Sequence, residues 1–230
     1  VDIRRQTGQT IAFRDGAVRA MLRASDGLNN LQILLPMISQ IGEIDTSCML
    51  IRRAHRELYE EGYSVKLPPI GVMIEVPAMA WQVPEIVNRA DFVSVGSNDL
   101  TQYMLAVDRN NPRVTNLFSH LHPAVLRVMY KIAQEVTASG KKLSICGEMA
   151  GSPSASVLLM AMGFNILSMN ATNLLKVKSM IRDITLTQAK DLLNYALQQE
   201  DTESVKNLLE NALHGAGTGR MLRAVRASHE

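Results

Sequence analysis

Short apolar runs alternate with longer amphipathic segments along most of this chain, and that alternation restricts it to an α/β fold built on parallel strands. Apolar runs at 31–38, 70–75, 91–95, 142–146 and 165–169 read as strands. Segments with apolar residues at helical spacing separate them, at 16–25, 42–61, 77–89, 123–140, 153–163 and 172–182. The punctuation is chemical: Asp26-Gly27 breaks the first helix, Gly62 stops the second, Pro68-Pro69 forces an extended entry into a strand, and Pro77, Pro123 and Pro153 suit first helical turns. Beyond Ile184 the pattern is helical only, with Leu192, Leu193 and Ala196, then Val205, Leu208 and Leu209.

A parallel sheet with helical crossovers is either open or closed. A glycine fingerprint opening a helix after the first strand favours the open, doubly wound form, and none is present. Polar residues stand instead at the carboxyl ends of successive strands: Glu75, then Asn98 with Asp99, then Cys146. A closed (β/α)₈ barrel uses its strand ends in that way. The expected fold is therefore an α/β barrel of this type with about five strands in this chain, the shortfall lying at the amino end, and extra helices at the carboxyl end. The chain begins Val1-Asp2-Ile3 without an initiator Met, which reads as a fragment. The expected organisation is a partial barrel over 1–184, helices packing on it over 185–214, and a Gly-rich, basic, flexible tail over 215–230.

Charge and composition exclude several classes. A net charge of +2 is too small to argue for a nucleic-acid partner. No apolar run reaches the ~18 residues of a membrane-spanning helix, and the polar start lacks the apolar stretch of a signal peptide. The two cysteines, Cys48 and Cys146, then read as reduced thiols of a cytoplasmic protein. With few aromatics and 13 Met, the core volume must come from Leu, Ile, Val, Ala and Met.

The chemistry concentrates in three segments. In the stretch 91–109 a strand runs into Gly96-Ser97, presents Asn98 and Asp99, and one helical stretch later presents Arg109. Glycine and serine allow a tight turn whose N–H groups can face an anion. Asp99 is a hard oxygen ligand suited to Mg²⁺, Asn98 can donate to a phosphate oxygen, and the planar fork of Arg109 can pair with it. Glu75 ends the run Gly71-Val-Met-Ile and would be costly if buried unpaired; taken alone it reads as a salt-bridged strand end, and beside Asp99 on the next strand as the second carboxylate of one cation site. Cys146 is followed by glycines at 147 and 151, which suits a rim rather than a packed interior, and a thiol there can exchange a proton with a substrate carbon. Cys48 sits mid-helix beside Met49 and Leu50 and reads as packing.

Together the phrases Gly71 to Pro77, Gly96 to Arg109 and Cys146 to Gly151 resemble the phosphoenolpyruvate-utilising enzymes, in order and at compatible spacing. Within that family the match is to the enzyme I group of bacterial phosphotransferase systems, and Ala106-Val-Asp-Arg-Asn-Asn111 with Leu121-His-Pro123 looks like its nitrogen-regulatory branch. The resemblance implies a (β/α)₈ barrel that binds phosphoenolpyruvate with Mg²⁺. It implies that Glu75 and Asp99 hold the metal, that Asn98, Asp99 and Arg109 bind substrate, and that Cys146 protonates the enolate to give pyruvate. It also implies a homodimer. The phosphoryl group would move to a histidine on a separate domain and then to a histidine-containing phosphocarrier protein.

Three departures stand against the resemblance. None of the five histidines, His55, His120, His122, His214 and His229, stands in a context that suits a phosphoryl acceptor. Arg4 and Arg5 lie near the start in a stretch that does not fit the family's early arginine pattern, and Ser152 stands where the family carries an acid. The chain on its own is therefore expected to be inactive. The alternatives are a non-catalytic dimerisation or regulatory module of the same relay, and the barrel of a dikinase or synthase. A scaffold has no need of the acids and the thiol, and the 106–111 phrase argues against the dikinase branch.

Overall fold

The computed structural model describes the backbone of residues 10–214 and the side chains of 16–213. Five strands form one parallel sheet in the sequential order β1-β2-β3-β4-β5: β1 (Ile33–Leu35), β2 (Ile70–Ile74), β3 (Phe92–Gly96), β4 (Lys142–Cys146) and β5 (Ile166–Ser168). Each strand pairs with the next in the chain, as consecutive strands of a barrel do, with no reversal of the kind that marks a doubly wound sheet. The parallel α/β architecture expected from the alternation is the one observed.

Helices fill the crossovers and the carboxyl end: α1 (Thr10–Ala24), α2 (Ile41–Glu60), α3 (Val83–Val87), α4 (Ser97–Leu105), α5 (Pro123–Ala138), α6 (Pro153–Met162), α7 (Ala171–Arg182), α8 (Leu186–Gln198) and α9 (Thr202–His214). One face of the sheet presents Val72, Ile74, Val93, Val95, Leu143 and Ile145, all at most 1% exposed, which is what a parallel sheet covered by helices requires. The other face carries Met73, Ser94, Ser144 and Cys146 at matching register, and is more polar. Val205, Leu209, Leu192 and Leu193 belong to the same hydrophobic core as the strands.

Two expectations change in detail. The run 31–38 narrows to the three residues of β1, because Pro36 has no N–H to continue the ladder. The single helix expected over 77–89 is two pieces, a 3₁₀ turn at Pro77–Trp81 and α3. Pro84 has to start a helix rather than sit inside one, so the chain breaks at Gln82 (φ −122°, ψ 29°) and restarts with Pro84 in the first turn. The sequence from 215 to 230, with the expected tail, and Arg4 and Arg5 lie outside the described residues.

Candidate functional site

The strand register brings the polar residues to one end of the sheet. Ile74 pairs with Val95, so Glu75 follows at the level of Gly96; Gly96 pairs with Cys146, and Cys146 with Ser168. Four adjacent strands therefore end on a single polar row, Glu75–Gly96–Cys146–Ser168. Register partners in a parallel sheet share a face, so the acid and the thiol stand on the same side.

Glu75 is buried at 4% exposure and its Oε1 accepts the Met37 N–H at 2.5 Å, tying the row to the end of β1. Met37 reaches that carboxylate with φ of +53°, a conformation uncommon for a non-glycine residue and typical of sites where surrounding contacts hold it. Gly96 is required by space. A Cβ there would stand 2.6 Å from Glu75 Oε2 and 2.9 Å from Glu75 Cβ, so only hydrogen lets the carboxylate lie against β3. The sequence reading assigned this glycine to a tight turn; its φ of −86° is open to any residue, and close approach is the reason it stands there.

Asp99 lies in the first turn of α4, where a carboxylate is favoured by the helix dipole, and makes no side-chain hydrogen bond or ion pair among the described residues. Asn98 precedes it, and its Oδ1 accepts the Glu148 N–H at 3.0 Å. That bond commits the amide oxygen and leaves the NH₂ group to donate. Ser97, almost fully buried, donates its hydroxyl to the Cys146 carbonyl at 2.8 Å. The two side chains of the β3–α4 turn thus fasten the β4 turn next to it. Gly147 makes this closeness feasible: its φ is +105°, and a Cβ would meet Ser97 Oγ at 2.3 Å.

Cys146 is half-buried, and its Sγ lies 3.7 Å from the Val95 carbonyl. Burial pushes its pKa up, and the carboxylates of Glu75 and then Asp99 push it the same way, partly opposed by a hydrogen bond with Ser94. The thiol therefore stays protonated above the ordinary thiol range, as a proton donor must.

A cavity of about 360 Å³ opens beside this row, lined in part by Asn98, Cys146, Glu148, Ser168, Asn170 and Asn173. Asn98 and Cys146 are among the residues singled out in the sequence; Glu75, Asp99 and Arg109 do not line this cavity. Arg109 lies in the turn after α4, its N–H bonded to Gln102 Oε1 at 3.3 Å, and its guanidinium makes no ion pair among the described residues. Sequence reasoning missed Asn170 and Asn173, although polar residues after β5 extend the strand-end pattern used for the others, and it read Ser97 only as part of a turn. Ser152, which stands where an acid was expected, caps α6 by accepting the Ala155 N–H.

Two of the described histidines contact backbone groups. His55 Nε2 contacts the Val65 carbonyl at 2.7 Å, His122 Nδ1 caps α5 by accepting the Ala124 N–H, and burial lowers the pKa of His120.

A family model described as the PEP-binding domain of PEP-utilising enzymes matches residues 2–186. The chain belongs to that family. This PEP-utilising domain is 45% identical over 207 residues to a Salmonella typhimurium protein named "phosphoenolpyruvate-dependent phosphotransferase system", a match covering 90% of the chain and 28% of that protein. An Escherichia coli protein of the same name is 44% identical over the same share of each chain. A phosphoenolpyruvate-protein phosphotransferase from Cupriavidus necator is 40% identical over 188 residues, 81% of the chain and 32% of the relative. The PEP-utilising domain thus spans about a third or less of these relatives. Among solved structures, a citrate lyase from Burkholderia xenovorans matches in fold with a TM-score of 0.56 and 18% identity, covering 95% of this chain and 70% of that one.

Proposed function

We propose that this chain is the phosphoenolpyruvate-binding part of a phosphoenolpyruvate-protein phosphotransferase, in which phosphoryl moves from phosphoenolpyruvate to a histidine on a separate domain and on to a histidine-containing phosphocarrier protein. Family membership supports the substrate. The observation that carries the chemistry is the strand register that sets Glu75 and Cys146 on one polar row at the carboxyl end of the sheet, with Asp99 in the first turn of the helix that follows β3.

Glu75 and Asp99 are the residues that would hold Mg²⁺. The donor types fit: two hard carboxylates, one just after β2 and one in the first turn of α4, suit a cation completed by phosphate oxygens and water. When bound, Mg²⁺ offsets charge on the transferring phosphoryl group. Asn98 donates its amide N–H to a phosphate oxygen, and Arg109 pairs with the same group through its fork. As the bond between phosphorus and the enol oxygen breaks, the phosphoryl group passes to the histidine nitrogen and the enolate of pyruvate remains. The Cys146 thiol gives its proton to the methylene carbon of that enolate, and the thiolate takes a proton back from solvent.

The same reading makes the domain a homodimer in the cytoplasm. No helix among the described residues is long and apolar enough to cross a membrane.

Asp99→Ala in the full-length protein abolishes labelling of the acceptor histidine by radioactive phosphoenolpyruvate under this reading; wild-type labelling in that variant would remove Asp99 from the site. Cys146→Ala spares labelling and slows pyruvate formation, and equal loss of both would remove the thiol as the acid.

A further inference from the structure

A second cavity, of about 390 Å³, lies on the flank between α2 and the turn that follows α3, lined in part by Asp45, Cys48, Arg52, Arg56, Asn88 and Arg89. Arg89 comes three residues before β3 begins, so this cavity belongs to the amino ends of the strands and the candidate site to their carboxyl ends. The proposed function uses none of these residues.

Its charge is unbalanced. Three arginines and one aspartate line it, and that carboxylate is committed: Asp45 Oδ1 receives Arg89 Nε at 2.8 Å, while Arg89 Nη1 donates to the Glu85 carbonyl. Arg52 and Arg56 stand one helical turn apart on the same face of α2 and make no ion pair or hydrogen bond among the described residues. Like charges at that spacing repel. The nearby acid on the same helix, Glu57, is engaged by Arg53 at 3.5 Å and by Arg19 at 2.7 Å. Asp91, the other acid near Cys48, accepts the Ile70 N–H. Cys48 lies in the wall, buried and with its pKa raised by that burial, so it contributes an apolar surface rather than a charge.

We propose that this cavity is a binding site for a phosphate-monoester dianion of small-molecule size. Arginines from α2 and from the turn after α3 line a volume in the range of small-ligand pockets. A tetrahedral phosphate presents oxygens in several directions and can meet Arg52, Arg56 and Arg89 together, with Asn88 supplying an amide. A planar carboxylate meets one fork at a time. Occupancy would remove the repulsion between Arg52 and Arg56.

The test is calorimetric titration of the chain with inorganic phosphate and with phenyl phosphate, in wild type, R52Q/R56Q and D99A. Saturable binding is expected in wild type and D99A, with affinity lower by about tenfold or more in R52Q/R56Q, the loss expected for charge-assisted contacts. Absence of saturable binding, equal affinity in R52Q/R56Q, or loss in D99A would overturn the assignment. So would succinate that binds as tightly and competes, or an R52Q/R56Q variant that sediments as a smaller species while phosphate stays inert. The last result would mark the face as a contact between copies of the chain. A second readout needs no arginine variant. In a C146S background Cys48 is the one remaining thiol, and phosphate slows its alkylation by N-ethylmaleimide; an unchanged rate overturns the site.

Discussion

At the scale of single residues, the strand-end row includes a thiol that burial favours in its neutral form. Burial and the carboxylates of Glu75 and Asp99 raise the Cys146 pKa. In metal-free protein, alkylation of Cys146 by iodoacetamide should therefore rise with pH to a midpoint above the ordinary thiol value, and Glu75→Gln or Asp99→Asn should move that midpoint down. A midpoint unmoved by either change would mean that neither acid senses the sulfur. The sign extends to stability: a raised thiol pKa contributes nothing that varies at low pH, and its contribution is lost as pH climbs from the unfolded value through the folded one. Gly96→Ala forces a methyl group against the Glu75 carboxylate. It should cost about 1–3 kcal/mol as overpacking does, read as a lowered urea midpoint, and should lower metal-supported activity beyond that loss. The strand-end places of Glu75 and Cys146 were legible in the sequence because each polar residue closes an apolar run, and those of Asn98 and Asp99 because they follow Gly96-Ser97 directly after another. The reason for Gly96 was not, because the atom it makes room for belongs to a residue 21 positions earlier.

At the scale of elements, the site is assembled by turns that lock to one another. Ser97 donates to the Cys146 carbonyl, and Asn98 receives the Glu148 N–H, so α4 begins where β4 ends. Ser97→Ala removes the donor to a part-buried carbonyl, a change worth about 1 kcal/mol. Through that loss it should shift the alkylation profile of Cys146 although it touches no charge; a lower urea midpoint with an unchanged thiol profile would confine Ser97 to stability. Arg127 makes a comparable link far from the site. From α5 it donates Nε to the Leu197 carbonyl at 3.0 Å and Nη2 to the Gln199 carbonyl at 2.9 Å, meeting the orphan carbonyls at the end of α8 with a cation. Element types and order followed from periodicity, since strand and helix periods differ and the prolines mark the starts. What periodicity left open was where a run stops being regular. Pro36 and Pro84 decided those points, by a missing N–H in β1 and by restarting α3. Contacts such as Arg127 to α8 join positions 70 apart in the chain and leave no mark in a local pattern.

At the scale of the whole molecule, one hydrophobic core runs from Val18 and Leu22 on α1 through the sheet to Leu209 on α9, with α1 at its margin and the strands at its centre. Polar ties are distributed differently from apolar ones. α1 packs on α2 through its buried Val18 and Leu22, and its remaining grip is an exposed network: Arg19 reaches Glu57 at 2.7 Å and Glu61 at 2.5 Å, and Arg23 reaches Glu61 at 3.1 Å while lying over the Tyr63 ring. The hydrogen bond from Arg19, then that from Arg23, holds the Glu61 carboxyl below the ordinary glutamate range. A depressed carboxylate pKa contributes stability above the unfolded value and loses it as pH falls through the folded value. Acid should therefore release α1 while the core, held by burial, persists. Glu61→Gln mimics that protonation at neutral pH. It should raise hydrogen exchange of α1 amides and leave those of β2, β3 and β4 unchanged, because exposed ion pairs contribute locally and weakly. As pH is lowered below about 4, the ordinary range for glutamate, exchange in wild type and Glu61→Gln should converge when each is compared with the core amides of the same protein. If the two still differ there, or if β3 exchanges as fast as α1 in the variant, the network does more than dock one helix, and α1 is part of the cooperative unit that holds Glu75 and Cys146 in line.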